Sequence, residues 1–399
     1  MGVVKATNEY DNWLRSIMVI DEDELNIKHN KMTCSEFPFL RATFYRWSHL
    51  FPKHFPELCA APRVLGVGDL HIENFGTWRD AEGRLTWGVN DFDEACFLPY
   101  TNDLVRLATS ACLAIQDSSN ALNLDIKEAC ASIQEGYVKG MQESRPFVLA
   151  EDHKWLRDVV MSKLISNDKK SDDHDDLFAK FCKKYRNLEK VKGTVSAEAV
   201  AALNSCFPQP TPDYVIRHRE AGLGSLGRPR LTAVAEDWRG GVIVREAKAL
   251  APSAWLWANQ EEDKSSATEL AKRTIYYRQI VAQAVRSSDP WLMIAGSWVV
   301  RRIGPDTFKV AIEDLDLGNK GDELQKRLLR AMGKETANIH LSSRDAAAGV
   351  LQHLGKQSSN YTSSKWLLDA SIAMAQQTKD DFQEWRKLDY RCPNKAHSA

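Results

Sequence analysis

The chain has no apolar stretch of the length that a bilayer crossing requires, so the sequence predicts no membrane-spanning helix and no membrane partner. Its first residues, MGVVKATNEYDNWLRS, lack the apolar core of a secretion signal. Thr7 also falls one position past the hydroxyl of a myristoylation motif. Cysteine pairs of the CxxC type are missing. The eight cysteines lie at 34, 59, 96, 112, 130, 182, 206 and 392, and they form neither a zinc knuckle nor a thioredoxin-type motif. Buried free thiols in a soluble, cytoplasmic protein are the expectation. An excess of charge is missing too. With 53 basic and 54 acidic residues the net charge is −1, which gives no global field for nucleic acid. The basic residues are dispersed instead of forming an aromatic-laced stripe, so no nucleic-acid partner is expected. The twelve tryptophans read as core and contact residues.

What is present is ordinary globular material: 399 residues, 43% hydrophobic and 27% charged, enough to bury a substantial core. No internal repeat occurs. Residues 1–60 read as a helical segment that includes FPFLRATFYRWSHLF (37–51) as one amphipathic helix. APRVLGVG (61–68) reads as a strand feeding a polar loop, and RLTWGVNDFDEA as a second strand. Helical patterning follows from Asn102 to about Arg145. NDKKSDDHDD (167–176) reads as a solvated loop lacking the glycine and closing glutamate of a calcium loop. After Pro212, YVIRHRE, RLTAVAE and GVIVREAKAL predict a three-stranded antiparallel meander. SWVVRRI and TFKVAIE predict two further strands around a Gly304-Pro305-Asp306 turn. A helical stretch from Ser265 to Arg286 lies between them, and the last eighty residues are again helical.

Chemistry concentrates in Gly68-Asp69-Leu70-His71-Ile72-Glu73-Asn74-Phe75 and Asn90-Asp91-Phe92-Asp93-Glu94. Phosphoryl transfer needs a carboxylate beside the acceptor hydroxyl and oxygen ligands for magnesium. An Asp, an Asn five positions later, and an Asp at the end of a following strand supply these in kinases. Asp69, Asn74 and Asp91 have that spacing. Asp69 and Asn74 are also common turn-capping residues, and each alone would read that way.

The cluster resembles the aminoglycoside and choline kinase branch of the kinase superfamily at Gly68, Asp69, His71, Asn74, Asp91, Phe92 and Asp93. Val67 stands where that branch has a histidine. The resemblance implies that Asp69 is the catalytic carboxylate and that His71 braces its loop. It also implies that Asn74 and Asp91, with Asp93, hold magnesium, and that an Asp such as Asp103 opens the next helix and steadies the loop. The phosphate-covering parts are expected later in the chain. Gly222, Gly224, Ser225 and Gly227 make a Gly-x-Gly-x-x-Gly turn between two strands. On the next strand, Lys248 is the preferred phosphate ligand and Arg245 its competitor, on opposite faces by strand alternation. Glu269 is the candidate partner of that lysine. Arg301 reads more simply as an edge-strand residue.

The implied architecture is α+β, a protein-kinase-like two-lobed fold in circularly permuted order. The segments are a helical segment (1–60), the catalytic-loop part of the large lobe (61–211), a small antiparallel β lobe (212–318) and completing helices (319–399). ANIHLSSRD (337–345) would stand for the helix that leads into the catalytic loop. Nearly the whole chain, through FLRATFYRW, GDLHIENFG, NDFDEA, GLGSLG, REAK and WVVRRI, also resembles the bacterial family known as domain of unknown function 2252. The function so implied is an ATP- and magnesium-dependent phosphotransferase acting on a hydroxyl or amine of a small molecule. Two alternatives are kept: a nucleotide-binding, pseudokinase-type regulator without turnover, and a metallophosphoesterase. The second lacks the further Gly-Asp loop and Asn-His pair that a dimetal centre needs.

Overall fold

Placed residues in the computed structural model are 1–117, 122–150, 153–166, 176–191, 193–260, 274–307, 309, 321–357 and 363–393. The chain opens with α1 (Val3–Ile17), which buries Val3, Ala6, Thr7, Tyr10, Asp11 and Leu14, one face at helical spacing. α2 (Glu22–Lys31) starts where the Asp21 side chain accepts the Glu24 N–H. The expected single helix over 37–51 is two, α3 (Glu36–Ala42) and α4 (Phe44–His54). They part at Thr43, whose backbone leaves the helical region (φ −122°) while its hydroxyl bonds back to the Phe39 carbonyl. A short α5 (Pro56–Cys59) follows.

Two small antiparallel pairs then carry the acidic segments. β1 (Arg63–Gly66) pairs with β4 (Cys96–Pro99), and between them β2 (Phe75–Arg79) pairs with β3 (Leu85–Val89), which also meets β5 (Phe147–Val148). α6 (Tyr100–Gln116), α7 (Ile126–Gln142), α8 (Lys154–Ser166), α9 (Asp176–Arg186) and α10 (Ala197–Ser205) supply the following helices.

The meander forms as its glycine turns predict. β6 (Val215–Arg217), β7 (Arg230–Trp238) and β8 (Gly241–Ala249) pair in sequence, and β10 (Trp298–Ile303) and β9 (Met293–Ala295) extend the sheet in the order β6-β7-β8-β10-β9. Of the expected TFKVAIE strand, Lys309 bridges Gly76 on β2, and residues 308 and 310–313 lie outside the described residues. α11 (Ala254–Asn259) and α12 (Ile275–Gln283) lie between β8 and β9, and Glu269 falls in the undescribed stretch between them. α13 (Gly321–His340), α14 (Ala347–Gln357) and α15 (Lys365–Trp385) complete the helical body, α13 packing on α7 and α15 on α6. Among the described residues no helix is long and apolar enough to cross a membrane.

One expectation is corrected. Cys34 and Cys392 form a disulfide, so the cysteines are not all thiols; Cys59, Cys96, Cys112, Cys130, Cys182 and Cys206 form no disulfide. The partners are 358 residues apart, so no local spacing could reveal the pair.

Candidate active site

The polar loop after β1 is held from beneath. Asp103, fully buried in the first turn of α6, accepts the Val67 N–H (2.6 Å) and the Gly68 N–H (3.0 Å). His340, at the end of α13, donates Nε2–H to the same carboxylate (3.0 Å), while its Nδ1 meets the Tyr137 hydroxyl (2.8 Å). Gly68 has φ +79°, and a Cβ there would lie 2.4 Å from the Glu94 carbonyl oxygen, so the loop closes only on glycine.

Asp69 projects from this loop against Arg106, which donates Nε–H (2.8 Å) and Nη2–H to Asp69 Oδ1. Arg106 is itself fixed. It is wholly buried, gives Nη2–H to the Leu40 carbonyl (2.9 Å), and lies between the rings of Phe44 (4.9 Å) and Trp47 (5.0 Å). One Asp69 oxygen is thus anchored, and the other faces Gly224 across the cleft. His71 is buried, and its Nδ1 accepts the Glu73 N–H (3.2 Å). Burial, with the charges of Arg41, Lys309 and Arg106, holds its pKa well below the usual histidine value. The ring is therefore neutral and carries its proton on Nε2.

Asn74 uses its amide N–H groups on the carbonyls of Asp69 (3.2 Å) and Asp91 (3.1 Å). Its buried Oδ1 has no hydrogen-bond partner. The β2–β3 hairpin brings the chain back to Asp91 and Asp93, and Lys248 reaches them from β8. Its Nζ lies 3.0 and 3.1 Å from the two Asp91 oxygens and 2.6 Å from Asp93 Oδ1. Burial opposes ionisation of Asp91, yet Lys248 and a hydrogen bond with Asp93 hold its pKa low. Burial and the Asp91 charge push Asp93 up to about 6. This donor set is all oxygen: two carboxylates and an otherwise unused amide oxygen. It fits a hard cation such as Mg²⁺. Among the described residues no three His, Cys, Asp or Glu side chains come together to hold a metal ion.

The glycine turn forms the roof. Gly222, Leu223, Gly224 and Ser225 line one cleft with Asp69, His71, Asn74, Asp91 and Asp93. Gly227 does not line it. Its N–H points to Glu24 Oε2 (3.3 Å), in the first turn of α2, and its carbonyl accepts the N–H of Asp21 (2.9 Å), the residue that caps α2. The turn is also less open than its glycines suggest. The N–H groups of Ser225, Leu226 and Arg228 bond within the turn, and the Ser225 hydroxyl accepts from Arg230. Gly222, Leu223 and Gly224, which line the cleft, have amides with no such bond among the described residues.

Arg245 lies away from the cleft. It packs on Phe207 (5.4 Å) and Trp291 (4.8 Å) and donates to the Cys206 carbonyl, because three residues along a strand reverse the face. Arg301 donates to Glu246 (2.9 Å), a buried carboxylate that Arg219 and Arg230 also contact. Four cations that line the cleft were not singled out by sequence: Lys28, Arg41, Arg228 and Lys309. Arg106 left one readable signal, since a charge three residues after Asp103 on an otherwise apolar helix shares its face.

These features define an α+β protein with a polar cleft between helical segments and the glycine turn of an antiparallel sheet. The chain belongs to the family described as "Uncharacterized protein conserved in bacteria (DUF2252)", whose model matches residues 20–204 and 211–388. No curated protein and no solved structure matches it.

Proposed function

We propose that the protein is an ATP- and magnesium-dependent phosphotransferase with a two-lobed, kinase-like fold whose parts run in permuted order. The observation that carries this reading is the meeting of Lys248 with Asp91 and Asp93 beside the unused Asn74 oxygen, from elements 157 residues apart. The order of strand, Asp69 loop, hairpin and Asp91 stretch adds support, because it presents base, amide and carboxylate to one cleft. Asn74, Asp91 and Asp93 would hold the magnesium, whose charge offsets that of the nucleotide phosphates. Lys248 would then turn from the carboxylates toward a phosphate oxygen. Asp69, steadied on one oxygen by Arg106, orients the acceptor hydroxyl with the other and takes its proton. His71 is neutral and stays a brace.

A regulator that binds nucleotide without turnover is the second reading. One observation favours it: the cleft has only about 50 Å³ of room, space for a few waters, beneath a turn whose amides are mostly engaged. Asp69→Asn decides between them. Calorimetry with Mg·ATP is expected to give unchanged affinity, with phosphate transfer down by about 10²- to 10⁴-fold. Unaltered transfer by the variant would sink the catalytic role of Asp69, and a wild type that binds but never turns over would establish the regulator.

A further inference from the structure

Each acid lining the cleft already faces a cation: Asp69 faces Arg106, Asp91 and Asp93 face Lys248, and Glu94 faces Arg228. Lys28 is different. It is 3% exposed, and its ammonium makes one hydrogen bond, to the Gly224 carbonyl (3.2 Å), besides lying 5.7 Å from the Tyr45 ring centre. An ammonium has three donors, so two find no acceptor among the described residues. Arg228, also 3% exposed, gives Nη2–H to the Tyr10 hydroxyl (2.9 Å) and to Glu94 (3.0 Å), and its Nε has no partner. The Tyr10 hydroxyl accepts from Arg228 and keeps its own proton to donate. Burying a cation with unfilled donors is costly, and a bound anion offsets that cost. Burial, with the Arg228 charge, lowers the Lys28 pKa to about 8, although the carboxylates of Asp11, Glu94 and Asp69 pull the other way.

Resting on the phosphotransferase reading, we infer that the acceptor carries an anionic group, a carboxylate or a phosphate, held by Lys28, Arg228 and Tyr10 while its hydroxyl meets Asp69. In the transfer, the hydroxyl proton passes to Asp69 and the acceptor oxygen forms a new bond to the γ-phosphorus. The bond from that phosphorus to the β,γ-bridging oxygen breaks, which leaves ADP. A cationic acceptor finds no carboxylate in this cleft without a cation of its own.

Calorimetry on the full chain saturated with Mg·AMP-PNP tests this, with glycerol 3-phosphate and D-glycerate as anionic probes and glycerol and choline as controls. The anions are expected to bind and the controls not. Lys28→Met should weaken glycerol 3-phosphate by about tenfold or more and leave the Mg·AMP-PNP constant within about twofold. Lys28→Arg should restore anion binding, and the unfolding midpoint of the Met variant should not fall. Anion binding that ignores Lys28, or tighter binding of choline than of glycerate, overturns the inference. An equal loss of nucleotide affinity in Lys28→Met also overturns it, by assigning the cation to the nucleotide's own phosphates. A wild type that binds no Mg·AMP-PNP defeats the phosphotransferase reading instead, while Lys28-dependent binding of glycerol 3-phosphate would survive it.

Discussion

Single residues carry most of the chemistry, and the most exacting is Asp103. It satisfies two loop N–H groups and His340 from a fully buried position. Asp103→Asn turns one acceptor oxygen into an NH₂ that confronts a donor. The expected cost is about 1–3 kcal/mol of unfolding free energy, read from denaturant titration, and on the phosphotransferase reading also a loss of transfer rate as Asp69 drifts. Had stability been unaffected, the brace would be dispensable. Asp69, Asn74 and Asp91 were legible together because they lie in one local stretch whose spacing is itself the signal. Lys28, Arg41 and Arg228 were not. They come from α2, α3 and the turn before β7, and only packing brings such distant charges to one wall.

At the scale of elements, α13 and α7 cross so closely that glycine is required. A Cβ on Gly136 would lie 1.9 Å from the Arg330 carbonyl oxygen, and one on Gly333 would lie 2.1 Å from that of Ile133. Gly136→Ala is expected to destabilise by about 3 kcal/mol or more, measured as a shift in denaturation midpoint. α13 also buries Glu335, which accepts from Asn338 (3.0 Å) and the Val89 N–H (3.4 Å). Burial raises its pKa from 4.5 to about 7. The folded state therefore holds this proton more tightly than the unfolded chain, and the resulting stability, full below pH 4.5, is lost as pH rises through 7. Glu335→Gln should flatten that dependence and gain on wild type between pH 4.5 and 8, by an amount on the order of a kcal/mol. Equal pH profiles would refute the assignment. The meander was readable because glycine turns punctuate alternating strands. The pairing of β1 with β4 was not, since Cys96–Pro99 is a four-residue strand with no alternation of its own to betray it.

In the whole molecule, the Cys34–Cys392 bond joins α2's end to the tail beyond α15. Cys34→Ser is expected to lower unfolding free energy by about 2–5 kcal/mol, because the released chain regains the freedom of a very long loop. An identical midpoint for variant and wild type under oxidising conditions would show that the bond does not constrain the fold. No residue pattern announced this bond, whereas the late position of the glycine turn and Lys248 was readable from their separate motifs. Asp21, Glu24 and Lys28 also clasp the glycine turn from α2, over a space of about 50 Å³. On the phosphotransferase reading, a nucleotide would enter beneath this clasped turn, and its entry would be limited by how often α2 lets the turn go. In stopped-flow mixing with a fluorescent nucleotide, the observed rate is then expected to climb and level off; a rate that stays proportional to concentration would show that the clasp does not limit entry.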